Sequence, residues 1–271
     1  MSSSRRTVLG LVFAATAVAL FWYVQKPNLA HRTFQSFDGT AIAYGVQGEG
    51  PPVIFLHAFM IQSHSNWVET KVRDAVVEAG FQFIWMDARG HGLSESVQDP
   101  NRYANHAMAR DVGALIELLA LDAVTVAGYS MGSAVAIQAA GLNPRIRALV
   151  LGGTSLGETR PWPSDEREKE VEALRTGQAG FYSSLVDTLG GDRLAYAARL
   201  EGDQFPSFSV DDLRSLAASV CVINGEDDAD PEPLAALIAG AQWHRVPGDH
   251  LSAIWTAPFR DTLMNCLRSM Q

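Results

Sequence analysis

The chain alternates short apolar runs with longer stretches in which apolar residues recur at helical spacing. The runs are typical of strands buried on both faces, and the longer stretches predict helices. The strand-like runs are Arg32–Phe37, Ala41–Val46, Pro52–Leu56, Phe81–Met86, Ala123–Ala127, Ala148–Leu151, Val220–Ile223 and Trp243–Val246. The helical patterns are Trp67–Ala79, Ala104–Leu119, Met131–Ala140, Pro231–Ala239 and Ile254–Met270. This alternation predicts an α/β fold with a mostly parallel twisted sheet flanked by helices, which begins with an antiparallel hairpin.

One stretch departs from this alternation. Between about residues 156 and 216 no strand pattern occurs, and helical patches surround Phe181–Leu189 and Leu194–Leu200. An insertion of this size after the sixth strand predicts a small helical cap over one end of the sheet. The insertion contains six aromatic residues that could line a pocket: Trp162, Phe181, Tyr182, Tyr196, Phe205 and Phe208. For any one of them, however, we expect the alternative role of packing the cap against the body.

Residues 1–27 form a separate segment. The run Thr7–Val24 is 18 uncharged residues long, which is at the lower limit for a membrane-spanning helix, and it ends in three aromatic residues suited to a bilayer interface. Arg5 and Arg6 before it, against one lysine after it, favour a cytoplasmic N-terminus. We therefore predict a membrane anchor, with residues 28–271 on the periplasmic or extracellular side. A cleaved export signal, which would release a secreted protein, is the alternative.

Composition narrows the class of protein further. Hydrophobic residues make up 47% of the chain and charged residues 19%, which excludes a disordered chain and allows a sizeable core. The 21 basic and 30 acidic side chains give a net charge of −9, which argues against a nucleic-acid partner. The two cysteines, Cys221 and Cys266, cannot form a disulfide framework, and both are expected to be buried small hydrophobic residues.

The strongest chemical signal is the segment Gly128-Tyr129-Ser130-Met131-Gly132, which joins a strand-like run directly to a helical pattern. A sharp strand-to-helix turn needs glycines on either side of the serine, because side chains there would clash. Such a turn presents the Ser130 hydroxyl at the carboxyl edge of the sheet, beside a helix N-terminus that favours developing negative charge. The alternative is an ordinary helix-capping serine between two glycines.

A serine nucleophile needs a base, and the base needs an acid that orients it. His250 lies in a turn after the last strand-like run, whereas His244 lies within that run, so His250 is the expected base. The acid should follow the preceding strand, where Asp228 comes three residues after Gly225. Three neighbouring acidic residues compete with Asp228: Glu226, Asp227 and Asp230.

From Phe34 to the C-terminus these elements resemble the serine-nucleophile branch of the α/β-hydrolase superfamily. The segment 87–94 is similar to the D-x-R-G-x-G-x-S loop, which in that family shapes the fold. The segment 57–60 takes the place of the H-G-x-P loop, and the resemblance implies that the backbone N–H groups of Phe59 and Met131 form the oxyanion hole. Ala58 and Met60 replace the usual glycine and proline. A left-handed backbone at Ala58 would cost roughly 1 kcal/mol.

The resemblance implies a carboxylesterase-like hydrolase that works through an acyl-enzyme. Apolar residues close to the nucleophile in the fold favour an uncharged, short- to medium-chain small-molecule ester: Phe59, Met60, Met131, Leu251 and Trp255. Alternatives are a C–C bond hydrolase, a cofactor-free peroxidase-like member, or a slow-hydrolysing ligand receptor. The serine disfavours the haloalkane dehalogenase and epoxide hydrolase branches, whose nucleophile is an aspartate. The sequence has neither phosphate-binding fingerprints nor clustered His/Cys spacings, so we expect no cofactor and no metal.

Overall fold

A computed structural model of the protein describes residues 31–157, 162–202 and 209–270. The predicted membrane segment Thr7–Val24 lies outside these residues, as do the predicted cap aromatics Phe205 and Phe208. None of the helices within the described ranges is long and apolar enough to cross a membrane.

The described residues form one eight-stranded sheet in the order β1-β2-β4-β3-β5-β6-β7-β8. Its strands are β1 (Arg32–Gln35), β2 (Ala41–Gln47), β3 (Pro52–Leu56), β4 (Gln82–Met86), β5 (Val124–Tyr129), β6 (Ile146–Gly152), β7 (Ser219–Gly225) and β8 (Gln242–Val246). β2 pairs antiparallel with both β1 and β4, and all the other pairs are parallel. The predicted hairpin and parallel sheet are therefore confirmed.

Helices cover both faces of this sheet. They are α1 (Val72–Glu78), α2 (Ala107–Leu118), α3 (Met131–Leu142), α4 (Ser164–Thr176), α5 (Phe181–Leu189), α6 (Arg193–Gly202), α7 (Val210–Arg214), α8 (Glu232–Ala235) and α9 (Ala257–Ser269). Alternate strand residues face opposite layers: Ile54 belongs to the apolar layer that contains residues of α2, α3 and α8, whereas Phe55 belongs to the layer that contains residues of α1 and α9. Burial on both faces explains why the central strands are continuous apolar runs.

Three predicted helices, α1, α2 and α9, begin at least three residues later than their apolar patterns indicate, and left-handed residues decide the start of the first two. The pattern that starts at Trp67 is divided into a short π-helical turn, His64–Val68, and α1, because Lys71 between them has a left-handed φ of 66°. α2 begins at Ala107 because Asn105 and His106 have φ values of 55° and 57°. Left-handed residues interrupt a right-handed helix whatever the hydrophobic pattern around them.

The predicted cap follows β6 and contains α4 to α7. Its apolar core includes Leu174, Val186, Tyr196 and Leu200, and it takes in Met60 from the loop after β3. The cap is thus packed on the loop that follows β3, at the carboxyl edge of the sheet.

The expectation for the two cysteines was wrong in one respect. Both are buried, but Cys221 of β7 and Cys266 of α9 are joined by a disulfide bond, with Cα atoms 6.1 Å apart. Cys221 lies on the face of β7 that packs against α9, and this contact joins residues 45 positions apart in the sequence. Two isolated cysteines in apolar runs give no signal of such a pairing.

Candidate active site

Ser130 occupies a strained turn between β5 and α3. Its backbone angles are φ 52° and ψ −115°, a combination that persists only where the surroundings enforce it. A Cβ atom on Gly128 would lie 2.3 Å from the carbonyl carbon of Gly132, and one on Gly132 would lie 2.1 Å from the Leu56 carbonyl oxygen. Both flanking positions therefore require glycine, as the sequence indicates.

The structure brings the three predicted catalytic side chains together. His250 Nε2 lies 3.1 Å from Ser130 Oγ, and His250 Nδ1 lies 3.0 Å from Asp228 Oδ2. With the proton on Nδ1, the ring donates to the Asp228 carboxylate and Nε2 accepts from the Ser130 hydroxyl. A proton can therefore pass from the hydroxyl to the imidazole while the carboxylate holds the ring in this tautomer.

Asp228 differs from its acidic neighbours in burial and in contacts. Its side chain is 8% exposed, and its other oxygen accepts a 2.7 Å hydrogen bond from the Ala229 N–H. Burial raises the pKa of Asp228, but the hydrogen bonds from His250 and Ala229 together hold that pKa below its ordinary value. Asp227 and Asp230 are exposed, and Asp230 accepts from the Glu232 N–H at the start of α8.

Two buried residues that the sequence did not single out hold the loops of this site. Tyr129 Oη donates a 2.8 Å hydrogen bond to the His250 carbonyl oxygen. Asn224 donates through Nδ2 to the carbonyl oxygens of Thr154 and Ala229, both at 2.8 Å, and accepts from the Thr154 N–H. For Asn224, the one available sign in the sequence was an asparagine at the end of an otherwise apolar strand.

The loop after β3 carries the predicted oxyanion amide of Phe59. Ala58 N–H donates to Asn66 Oδ1 at 2.7 Å, and His57 Nδ1 donates to the Ala58 carbonyl oxygen at 2.7 Å. The left-handed residue of this loop is Met60, with φ 65°, and not Ala58. The conformational cost expected at Ala58 therefore falls two residues later.

His57 links this loop to the segment 87–94. Its Nε2 accepts a 3.0 Å hydrogen bond from the Ala88 N–H, which together with the Nδ1 donation defines a neutral ring. Burial lowers the pKa of His57, while the nearby Asp87 carboxylate opposes that shift. His57 therefore serves as a structural connection rather than a charged group.

The segment 87–94 is itself fixed by a buried ion-pair cluster. Arg89 is fully buried and donates to Asp111 at 2.6 and 2.7 Å and to Asp38 at 2.7 Å. Asp87 accepts from the backbone N–H groups of Ser63 and Leu93. These contacts fit the fold-shaping role that the family resemblance implies for this loop.

The cap reaches the site through Phe59. The ring of Phe59 makes edge contacts with Tyr182, Tyr196 and His91 at centroid distances of 5.2, 5.4 and 5.5 Å. Arg199 of α6, which is also buried, lies over the same ring at 5.6 Å. An aromatic ring and a cation at this distance attract each other. The residue that carries the predicted oxyanion amide is thus also in contact with the cap.

The other predicted apolar residues are divided between the interior and the surface. Met60 and Met131 are buried, whereas Leu251 is 77% and Trp255 47% exposed. Among the predicted cap aromatics, Trp162 packs edge-on against Tyr182, and Phe181 is 70% exposed.

His244 projects beside the disulfide and not into the candidate active site. A ring nitrogen of His244 and the sulfur atoms of Cys221 and Cys266 all lie within 4.8 Å of one another. Only a thiolate sulfur binds a metal well, and both sulfurs are used in the disulfide. In this state the group offers no thiolate ligand.

Comparison with known proteins agrees with the fold and the motifs. Residues 51–195, more than half of the chain, match the model of the alpha/beta hydrolase fold family. The chain therefore belongs to the α/β-hydrolase family, and the predicted fold class is confirmed.

Individual relatives cover different shares of the chain. An AB hydrolase superfamily protein of Bacillus subtilis is 37% identical over 34% of this chain and 32% of its own length. A non-heme haloperoxidase of Rhodococcus erythropolis is 25% identical over 78% of this chain and 89% of its own length. A thermophilic esterase of Thermogutta terrifontis has a similar structure, with a TM-score of 0.77, 24% identity, and coverage of 89% of this chain and 99% of its own. The chain spans between 32% and 45% of the length of the first three curated relatives that it matches.

Proposed function

We propose that the protein is a serine hydrolase that cleaves carboxylic esters of uncharged, short- to medium-chain substrates. The observation that carries this proposal is the continuous hydrogen-bonded line from Ser130 through His250 to Asp228, with separations of 3.1 and 3.0 Å. This arrangement activates a hydroxyl for attack on a carbonyl carbon.

In the proposed reaction, Ser130 Oγ attacks the ester carbonyl carbon as its proton passes to His250 Nε2. The carbonyl oxygen becomes an oxyanion, which the N–H groups of Phe59 and Met131 bind. Within the described part of the chain, neither N–H has another acceptor. His250 then gives its proton to the leaving alcohol as the C–O bond breaks. In the second half of the reaction, water attacks the acyl carbon as its proton passes to His250, and His250 returns that proton to Ser130 Oγ as the acyl–serine bond breaks.

The substrate class is argued from the surroundings of Ser130. The cap presents aromatic rings next to Phe59, and Leu251 and Trp255, which follow His250 in the chain, expose apolar surface. Each buried CH₂ contributes about 0.8 kcal/mol, so longer acyl chains bind better until the apolar surface is used up. The small cap favours small to medium substrates over a triglyceride.

A series of p-nitrophenyl esters from acetate to palmitate tests the proposal. We expect kcat/KM to rise along the short chains, reach a maximum at short to medium length, and then fall. Ser130→Ala should abolish turnover, and a fluorophosphonate probe should label the wild type only. Labelling of Ser130 without turnover of any ester would contradict the ester proposal, and failure to label the folded protein would contradict the serine mechanism itself.

A second candidate is a cofactor-free peroxidase-like activity. It is favoured by the non-heme haloperoxidase relative, which aligns with 78% of this chain. In this reaction hydrogen peroxide, in place of water, attacks the acyl-enzyme and releases a peracid. Peracid formation from acetate and hydrogen peroxide, absent in Ser130→Ala, would support it. Hydrolysis with no peracid would reject it.

A further inference from the structure

A buried asparagine outside the predicted catalytic residues is hydrogen-bonded to the loop that carries the proposed oxyanion hole. Asn66 is 2% exposed and lies in the π-helical turn His64–Val68. Its Oδ1 accepts the 2.7 Å hydrogen bond from the Ala58 N–H, one residue before Phe59. We propose that Asn66 is a positioning residue for the oxyanion-binding N–H of Phe59. This inference rests on the proposed function.

The two peptide units on either side of Ala58 are fixed by separate hydrogen bonds. Asn66 fixes the unit that contains the Ala58 N–H, and His57 fixes the unit that contains the Ala58 carbonyl group. That second unit also contains the Phe59 N–H. Because a trans peptide is planar, its N–H and C=O groups point in opposite directions. The direction of the Phe59 N–H is therefore set by the hydrogen bonds on both sides of Ala58.

This chain needs such a restraint more than one with the usual loop sequence. The proline that commonly follows the oxyanion residue would fix φ near −65°, whereas Met60 here has φ 65°. A non-glycine residue in this region is held there by its surroundings. The ring of Phe59 is meanwhile held by cap residues, so motion of the cap would reach the same peptide. Asn66 supplies a restraint from the body of the protein.

Asn66 is itself held in place. The Thr70 hydroxyl donates a 2.8 Å hydrogen bond to the Asn66 carbonyl oxygen, and the neighbouring Trp67 is fully buried with an edge contact to Phe55 at 5.1 Å. The acceptor oxygen of Asn66 is thus presented from a packed turn. Through Ala58 it restrains the Phe59 N–H, and stabilisation of the transition state requires that this donor be held in a fixed position.

The test uses Asn66→Leu, which keeps a similar volume but removes the acceptor. Loss of one oxyanion donor lowers kcat by about 10²- to 10³-fold. Because the Phe59 N–H in this variant is misdirected and not deleted, we expect kcat to fall by about 10- to 100-fold with KM almost unchanged. The inhibition constant of a trifluoromethyl ketone with the same acyl chain should rise by a comparable factor, since its adduct with Ser130 places an oxyanion in the same position.

Tyr103→Phe is the matched control. It removes the buried 2.9 Å hydrogen bond from Tyr103 Oη to the Val97 carbonyl oxygen, which involves neither Ala58 nor Asn66, so it should lower the unfolding midpoint while kcat and inhibitor binding stay near wild type. If the role of Asn66 is purely structural, Asn66→Leu and the control should show equal changes in kcat and in the inhibition constant whenever their unfolding midpoints fall equally. That result, or a rise in KM with kcat unchanged in Asn66→Leu, would overturn the inference.

The experiment also distinguishes a variant that fails to fold from one whose Phe59 N–H is misdirected, and failure of the proposed function from failure of the inference. If Asn66→Leu does not fold, Asn66→Ala replaces it. If neither folds while Tyr103→Phe does, Asn66 is a stability residue and the inference is wrong. If the wild type hydrolyses no ester but is labelled at Ser130 by a fluorophosphonate, the ester proposal fails, while the labelling rates of the same variants still test Asn66. An unlabelled wild type rejects the proposed function, and the inference with it.

Discussion

At the scale of single residues, the loop after β7 shows how the structure distinguishes among several identical side chains. Asp227, Asp228 and Asp230 lie within four positions of one another, yet only the Asp228 carboxylate is directed at His250. Asp228 is partly desolvated and accepts two hydrogen bonds, which favour its ionised form. The neighbouring carboxylates stay in solvent, so their substitution should have little effect on a reaction at Ser130.

We predict that Asp228→Asn preserves the fold but lowers the acylation rate about 10⁴-fold, because the amide favours the wrong imidazole tautomer. Stopped-flow release of p-nitrophenol would measure acylation, and circular dichroism would check the fold. Asp227→Asn and Asp230→Asn are the matched controls, and both should acylate at nearly the wild-type rate. A large loss in Asp230→Asn instead would show that the acid has been assigned to the wrong residue.

The residues of the candidate site differ in how far the sequence predicts them. Ser130 and its two partners can be predicted because a strand-to-helix turn and two strand-end loops have local sequence signatures. Tyr129, Asn224 and Asn66 cannot be predicted in the same way. The Tyr129–His250 and Asn224–Thr154 hydrogen bonds join residues 121 and 70 positions apart, so they depend on the finished fold.

At the scale of elements, the disulfide joins the two segments on either side of the base and acid loops. β7 leads directly into the loop of Asp228, and α9 begins seven residues after His250. Cys221 and Cys266 connect these elements through the apolar layer that contains Val246 and Phe259. The cross-link closes a segment that contains both Asp228 and His250, and so it limits how far that segment opens on unfolding.

We predict that reduction of this disulfide lowers the free energy of unfolding by about 2 to 4 kcal/mol, since it restores conformational freedom to the unfolded chain. Urea unfolding with and without a thiol reductant would measure the difference. The double variant Cys221→Ala/Cys266→Ala should unfold like the reduced protein and should not respond to reductant. Equal midpoints for the oxidised and reduced wild type would contradict the prediction.

The same elements show where hydrophobic patterning is sufficient and where it is not. Central strands such as β3 and β5 are predicted to within two residues at each end, because burial on both faces leaves continuous apolar runs. The beginnings of α1 and α2 are not, because single left-handed residues decide them. The position of Lys71 gives no sign of this in the sequence, since lysine has no particular preference for that region.

At the scale of the whole molecule, the topology followed from few rules. Strand and helix alternation with right-handed crossovers leaves few ways to arrange a parallel sheet, and a long helical insertion after β6 has to lie at its carboxyl edge. What the sequence could not supply is how the cap meets the body. One part of that contact is the ring of Phe59, a residue whose backbone and ring have separate proposed roles.

We also predict that the body of the protein lies outside the cytoplasm, held by Thr7–Val24. The basic flank of Arg5 and Arg6 supports this orientation, and the buried disulfide suits an oxidising compartment. In spheroplasts of a bacterial host, added protease should degrade the body while a cytoplasmic marker survives. The double variant Arg5→Glu/Arg6→Glu, which removes the basic flank, should reduce the exposed fraction. A body that stays protected until the spheroplasts are lysed would contradict the prediction.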